Sequence, residues 1–188
     1  MSTYADPNKA YVWLDGDGFR GAPGMTMPTD PFAAEIPDMK PYGGIETGFE
    51  VTAEQSVNKK KVWNYRKAAY KITRDPLEEG IKFRAVDNTE ATALTRAQGG
   101  KVTKTASGLY LLEKGIGEEF SFLARFEDED EKSAIWCPRA TLSGPATRAA
   151  IDGQNIDGWE FPLTFLEPAV EVLPALPSGM TEPTAPGA

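Results

Sequence analysis

The sequence predicts a mainly β fold, a β-sandwich or partly closed barrel with one flanking α-helix and a long N-terminal arm or loop. Three observations carry this expectation. Apolar and polar residues alternate at every second position in segment after segment, most clearly in residues 45–54, 119–126 and 159–167. Only residues 87–98 combine helical spacing with a cap and a stop. Clusters of Gly, Pro, Asn and Asp separate the segments, so roughly eight to ten strands share one helix and must bury their apolar faces by stacking or curling.

In chain order, residues 10–14 read as a short first strand ended by the turn-forming Asp15-Gly16-Asp17-Gly18. Residues 19–42 hold prolines at 23, 28, 31, 37 and 41, which deny regular structure and mark a long arm suited to contacting a neighbouring subunit. In residues 45–54, Ile45, Thr47, Phe49, Val51 and Ala53 share one face, while Glu46, Gly48, Glu50, Thr52 and Glu54 share the other. Lys59-Lys60-Lys61 reads as a basic turn, followed by strands over 62–65, 69–73 and 81–86. The helix over 87–98 can be capped by Asp87 or Asn88, has Glu90 at a capping-box position, and ends at Gly99-Gly100. Short strands follow over 102–106 and 108–113, then a hairpin of 119–126 with 133–137 across the acidic run Glu127-Asp128-Glu129-Asp130-Glu131. A helical turn is expected near 146–151 before the last strand.

A chain of 188 residues suits one core. The expected organisation is one domain over 1–173 and a flexible Pro/Ala/Gly-rich tail over 174–188. With 28 acidic against 20 basic residues the net charge is −8, which argues against a broad phosphate-binding surface. Residues 1–8 have neither a basic start nor an apolar run, so no secretory signal is expected, and no run is apolar enough for a spanning helix. Cys137 stands alone, which excludes an internal disulfide, fits a reducing cytoplasm and marks a small core residue.

The chain has no histidine, which removes Ser-His-Asp and Cys-His triads and histidine metal sites. Asp15-Gly16-Asp17-Gly18 starts like a calcium loop but continues Phe19-Arg20 where further oxygen ligands belong. Gly115-Ile116-Gly117 lacks the third glycine of a dinucleotide site. Neither a metal nor a cofactor is expected. Glycoside hydrolysis needs two facing acids, and residues four apart on a strand, such as Glu46 and Glu50, stand about 13 Å apart, too far for a catalytic pair. No enzymatic activity is expected.

The order of segments carries a resemblance. An arm with Pro23-Gly24-Met25-Thr26-Met27-Pro28-Thr29-Asp30 precedes a strand with Gly48-Phe49-Glu50-Val51 that opens onto a polar loop with Trp63. A mid-chain helix after Ala85-Val86-Asp87-Asn88 and a closing Gly158-Trp159-Glu160-Phe161-Pro162-Leu163-Thr164-Phe165 strand complete it. In this order and texture, over residues 10–170, the chain resembles major tail proteins of long-tailed bacteriophages. The resemblance implies a β-sandwich subunit with a flanking helix, six copies per ring, and stacked rings forming the tube through which DNA passes. It implies self-association, contact with other tail proteins (tape measure, terminator, tip), no specific DNA binding, no membrane, and location in the virion tail after assembly in the host cytoplasm. Within that frame Glu46, Glu50 and Glu54 are the expected lumen-facing acidic face, where like charge would keep DNA from sticking. Lys59, Lys60, Lys61 and Trp63 are the expected inter-subunit loop. The alternatives are a carbohydrate-binding or capsid-decorating β-sandwich module and a glycoside hydrolase.

Overall fold

The computed structural model describes residues 9–64, 68–176 and Met180. The strands, in chain order, are β1 (Asp15–Gly21), β2 (Lys40–Pro41), β3 (Ile45–Glu54), β4 (Val57–Lys60), β5 (Lys71–Arg74) and β6 (Glu78–Ala85). After the helix α1 (Glu90–Ala97) come β7 (Lys101–Lys104), β8 (Tyr110–Glu113), β9 (Phe120–Asp128), β10 (Glu131–Leu142), β11 (Thr147–Arg148), β12 (Trp159–Phe165) and β13 (Val170–Val172). The fold is mainly β with one flanking helix, as the alternation predicts. Its main sheet runs β2-β1-β9-β10-β12-β6-β3, with β11 added to β12 and β13 to β10, and every pairing is antiparallel. The pairs β4–β5 and β7–β8 form two separate hairpins.

The sheet curls until β1 and β3 touch without hydrogen bonding, giving a partly closed barrel. The inward positions of β1 are Gly16, Gly18 and Arg20; a Cβ added at Gly16 would come within 3.1 Å of the Arg125 carbonyl oxygen, while one at Gly18 would meet the Phe49 and Tyr42 rings at an ordinary contact distance of 3.4 Å. This corrects the reading of Asp15-Gly16-Asp17-Gly18 as a turn and of residues 10–14 as the first strand. The glycines there lie within a strand beside the Phe49 ring and do not reverse the chain.

Inside the barrel, Phe83, Phe122, Phe161 and Tyr42 pack with Ile81, Leu163 and Cys137. Phe83 lies at the centre, its ring 4.8 Å from Tyr42, 5.4 Å from Phe49 and Phe122, and 5.6 Å from Phe161. Outside it, the long loop predicted over 19–42 spans from β1 to β2. That arm folds back on its own sheet, with Ile36 and Met39 buried against Phe19, Leu123 and Trp136, and with Met25, Met27 and Phe32 packed alongside. Its prolines prevent strand pairing, yet its apolar residues cover the outer face of β1, β9 and β10.

Besides Pro41 in the short β2, two prolines sit within longer strands. Pro138 lies where the β9–β10 register shifts between Cys137 and Ala140, a bulge that removes the need for its missing N–H. Pro162 stands opposite Ser143, just past the end of β10, where its carbonyl accepts the Ser143 N–H at 2.9 Å and only the reciprocal bond is missing. The helix starts later than expected. Thr89, not Asp87 or Asn88, is the N-cap, its hydroxyl accepting from the Thr92 N–H at 3.3 Å, and Gln98 ends the helix in the left-handed conformation at φ 50°. Asp87 instead accepts the Gly44 N–H at 2.9 Å. The helical turn expected near 146–151 is absent, since Thr147 and Arg148 pair with β12. Most of the tail expected over 174–188 lies outside the described residues, as does residue 65, the last of the strand expected over 62–65. Among the described residues no helix is long and apolar enough to cross a membrane.

Candidate functional site

The expected acidic face is real in register but not purely acidic. Ile45 pairs with Ala85 and Phe49 with Phe83, so β3 gains two residues over β6 between these points. Glu46 lies in that irregularity and forms an ion pair with Arg84. Beyond it, Glu50 faces Lys82 at 3.9 Å, and Lys82 also reaches Glu160 at 3.3 Å. Glu54 stands opposite Glu78. The outer face of β3, β6 and β12 therefore holds five glutamates interleaved with Lys82 and Arg84, which strand alternation within one segment could not reveal.

Past Phe49 the pattern loses its core. Val51 is exposed although it occupies an inward position, because β3 and β6 run beyond the barrel and continue into the β4–β5 hairpin. Lys59 and Lys60 lie in β4 rather than in a turn, because Val57 to Lys60 pair with Arg74 to Lys71. Every residue of β4 and β5 is exposed, and Trp63 at the far end is 88% exposed. The β7–β8 hairpin is similar, with Val102, Leu109, Tyr110 and Leu111 exposed. Two-stranded hairpins without a packed face are marginal in water, and both of these expose apolar side chains.

A cleft of about 650 Å³ opens at the seam between β1 and β3. Trp13, Leu14, Phe49, Phe126 and Ile135 form its apolar walls, and its charged lining residues are Asp15, Glu46 and Glu171. Tyr11 stacks on Trp13 with ring centroids 5.5 Å apart. Among the described residues no three Cys, Asp or Glu side chains are grouped to hold a metal.

The charged group that sequence reasoning missed is buried. Arg20, inward on β1, is 5% exposed and donates to Glu118 at 2.6 Å and to the Thr95 hydroxyl at 3.2 Å, with its guanidinium 4.1 Å above the Phe120 ring. Thr95 also meets the Tyr42 hydroxyl at 2.7 Å, and Glu118 accepts the Gly99 N–H at 3.2 Å. This network fastens the helix across one mouth of the barrel. On the same side the Arg96 guanidinium lies 4.1 Å over Trp159. Nothing local marks these residues, because their partners are distant in sequence.

Burial pushes the Tyr42 phenol up to about 12, against a smaller opposing effect of its hydrogen bond to Thr95. The unfolded chain would ionise this phenol near pH 10, whereas the folded chain holds its proton, so folding stability is complete below pH 10 and falls between 10 and 12. The expected loss across that window is about 3 kcal/mol. Ultraviolet titration should show the Tyr42 phenol ionising at higher pH in the folded protein than in the denatured chain. Cys137 is fully buried, and burial raises its thiol.

No protein-family model and no curated protein sequence matches the chain.

Proposed function

We propose that the chain is a structural, non-enzymatic subunit of a phage tail tube that self-assembles into stacked rings, six copies to a ring, forming a conduit for DNA. The single observation that supports this most is the pair of hairpins, β4–β5 and β7–β8, which carry exposed Val, Ile, Leu, Tyr and Trp side chains and no core of their own. A monomer has no use for such elements, whereas an assembly covers them. The free edge of β3 is a second surface that pairing with a neighbour would satisfy. The acid excess on the outer face of β3, β6 and β12 suits a wall that DNA must pass without adhering. Tape measure, terminator and tip proteins would be the other partners in the tail.

Negative-stain electron microscopy of the concentrated protein, with its mass measured in solution, tests the reading. Rings or uniform hollow tubes are expected. A compact monomer or trimer that never assembles further would reject it.

One observation favours a second reading, a carbohydrate-binding or decorating module. The stacked Tyr11 and Trp13 rings beside the seam cleft offer an aromatic platform of the kind sugars stack on. In that case Trp13→Ala abolishes oligosaccharide binding by a protein that remains monomeric or trimeric.

A further inference from the structure

We propose that the β4–β5 hairpin of one copy docks through Trp63 into the acidic cleft between β1 and β3 of a second copy. This rests on the reading of the chain as a self-assembling subunit and names one contact that reading leaves open.

Residues 55–77 hold Lys59, Lys60, Lys61, Arg66, Lys67, Lys71 and Arg74 against the single acid Asp75, a net of +6. The rest of the chain then has 13 basic and 27 acidic residues, a net of −14. Like charges on one hairpin repel each other, so their concentration there costs stability unless an acidic surface answers them. Among the described residues of one copy none does. Lys59, Lys60, Lys61, Lys71 and Arg74 form no ion pair with any described residue. By contrast, cations on the barrel itself are engaged, Arg20 with Glu118, Arg125 with Asp17, Arg139 with Glu119 and Arg148 with Asp157.

The cleft is the complementary surface. Its charged lining residues are all acids, Asp15, Glu46 and Glu171, and no Lys or Arg lines it. It lies at the root of the β9–β10 hairpin, since Phe126 and Ser133 line it and precede or follow the acidic residues 127–131. Of that run, Glu127 pairs with Lys132, and Asp128, Glu129, Asp130 and Glu131 form no ion pair with any described residue. Its walls of Trp13, Leu14, Phe49, Phe126 and Ile135 suit an aromatic ring, and about 650 Å³ is ample for an indole. Trp63 is the most exposed aromatic side chain among the described residues, at the end of the basic hairpin. An apolar tip ringed by cations thus meets an apolar cleft ringed by acids. Because hairpin and cleft are different surfaces, the contact is head-to-tail, the geometry that closes rings or extends filaments.

Sedimentation of the full chain over a range of protein and salt concentrations tests this. Trp63→Ala is expected to raise the concentration needed for association by about tenfold or more, as loss of a buried aromatic anchor does. Lys59→Glu/Lys60→Glu/Lys61→Glu should do the same, as should Asp15→Lys/Glu171→Lys, and the two sets combined should restore association. All these side chains are exposed, so unchanged melting temperatures will show the fold intact. Association unaffected by Trp63→Ala, or two impaired sets that do not rescue each other, overturns the docking while leaving self-assembly standing. A wild-type chain that remains monomeric at every concentration removes the assembly reading and the docking with it. Duplex DNA bound by the wild type and lost in the lysine variant, with association unchanged, overturns the docking in favour of a nucleic-acid contact.

Discussion

Phe83→Ala is expected to destabilise the protein by about 3–5 kcal/mol, the range for removing a phenyl ring from a closed core. The ring is 2% exposed and contacts four other aromatic rings drawn from β3, β9, β12 and the residue after β2. Those rings come from three different strands and the segment after β2, so a hole at Phe83 cannot be filled by shifting one element. For a chain of this length the melting temperature should fall by roughly 6–20 °C. Near-ultraviolet circular dichroism should weaken with it, since the ring packing is lost before the backbone ladders. Phe49→Ala supplies the comparison, because Phe49 is only partly buried at the seam and its loss should cost clearly less. Equal costs at the two positions would mean that the barrel is not centred on Phe83.

Arg20→Ala should cost about 2–4 kcal/mol, measured by urea unfolding. Removing one member of a buried ion pair strands the other, but Glu118 is 37% exposed and turns partly to water, which keeps the cost below that of a sealed pair. Arg20→Met should lose roughly half as much, because a methionine still lies over Phe120 while giving up the bonds to Glu118 and Thr95. Combined with Glu118→Gln, the Arg20→Met change should show a coupling of about 1 kcal/mol or more. Strict additivity would show that the helix is held by packing alone. The helix buries Ala91, Thr92, Thr95 and Ala97. Such a face contributes little apolar area, and this is why a polar network has to hold it.

Alternation was most legible where both ends of a strand lie over the core. In β12, Trp159, Phe161 and Leu163 point inward as their spacing requires, and β9 places Phe120, Phe122 and Ala124 in the barrel. It misled where a strand outruns the core, as at Val51 and Ala53, since the period of a strand reports its pleat and not what lies beneath it. It also failed at β1, where inward positions are Gly16 and Gly18 and no apolar residue marks the face. Of the expected site, the three lysines were legible as a basic segment and Trp63 as part of the polar loop that follows, but not its exposure. Their place at the end of a standing hairpin was not, because Lys59 and Lys60 resemble turn residues until their pairing with Ile72 and Lys71 is known.

Residue type and short-range spacing by themselves determined the mainly β class, a helix that ends before Gly99-Gly100, and the absence of histidine chemistry, because none of these depends on a distant partner. Tertiary structure alone decided that the sheet curls into a barrel, that the proline-rich loop covers the barrel's own flank, and that Arg20 is buried beneath the helix. Each of these joins residues tens of positions apart, such as Arg20 with Glu118 or Gly18 with Phe49. Space and charge at such contacts are properties of the meeting, and neither partner's neighbours in the chain encode them.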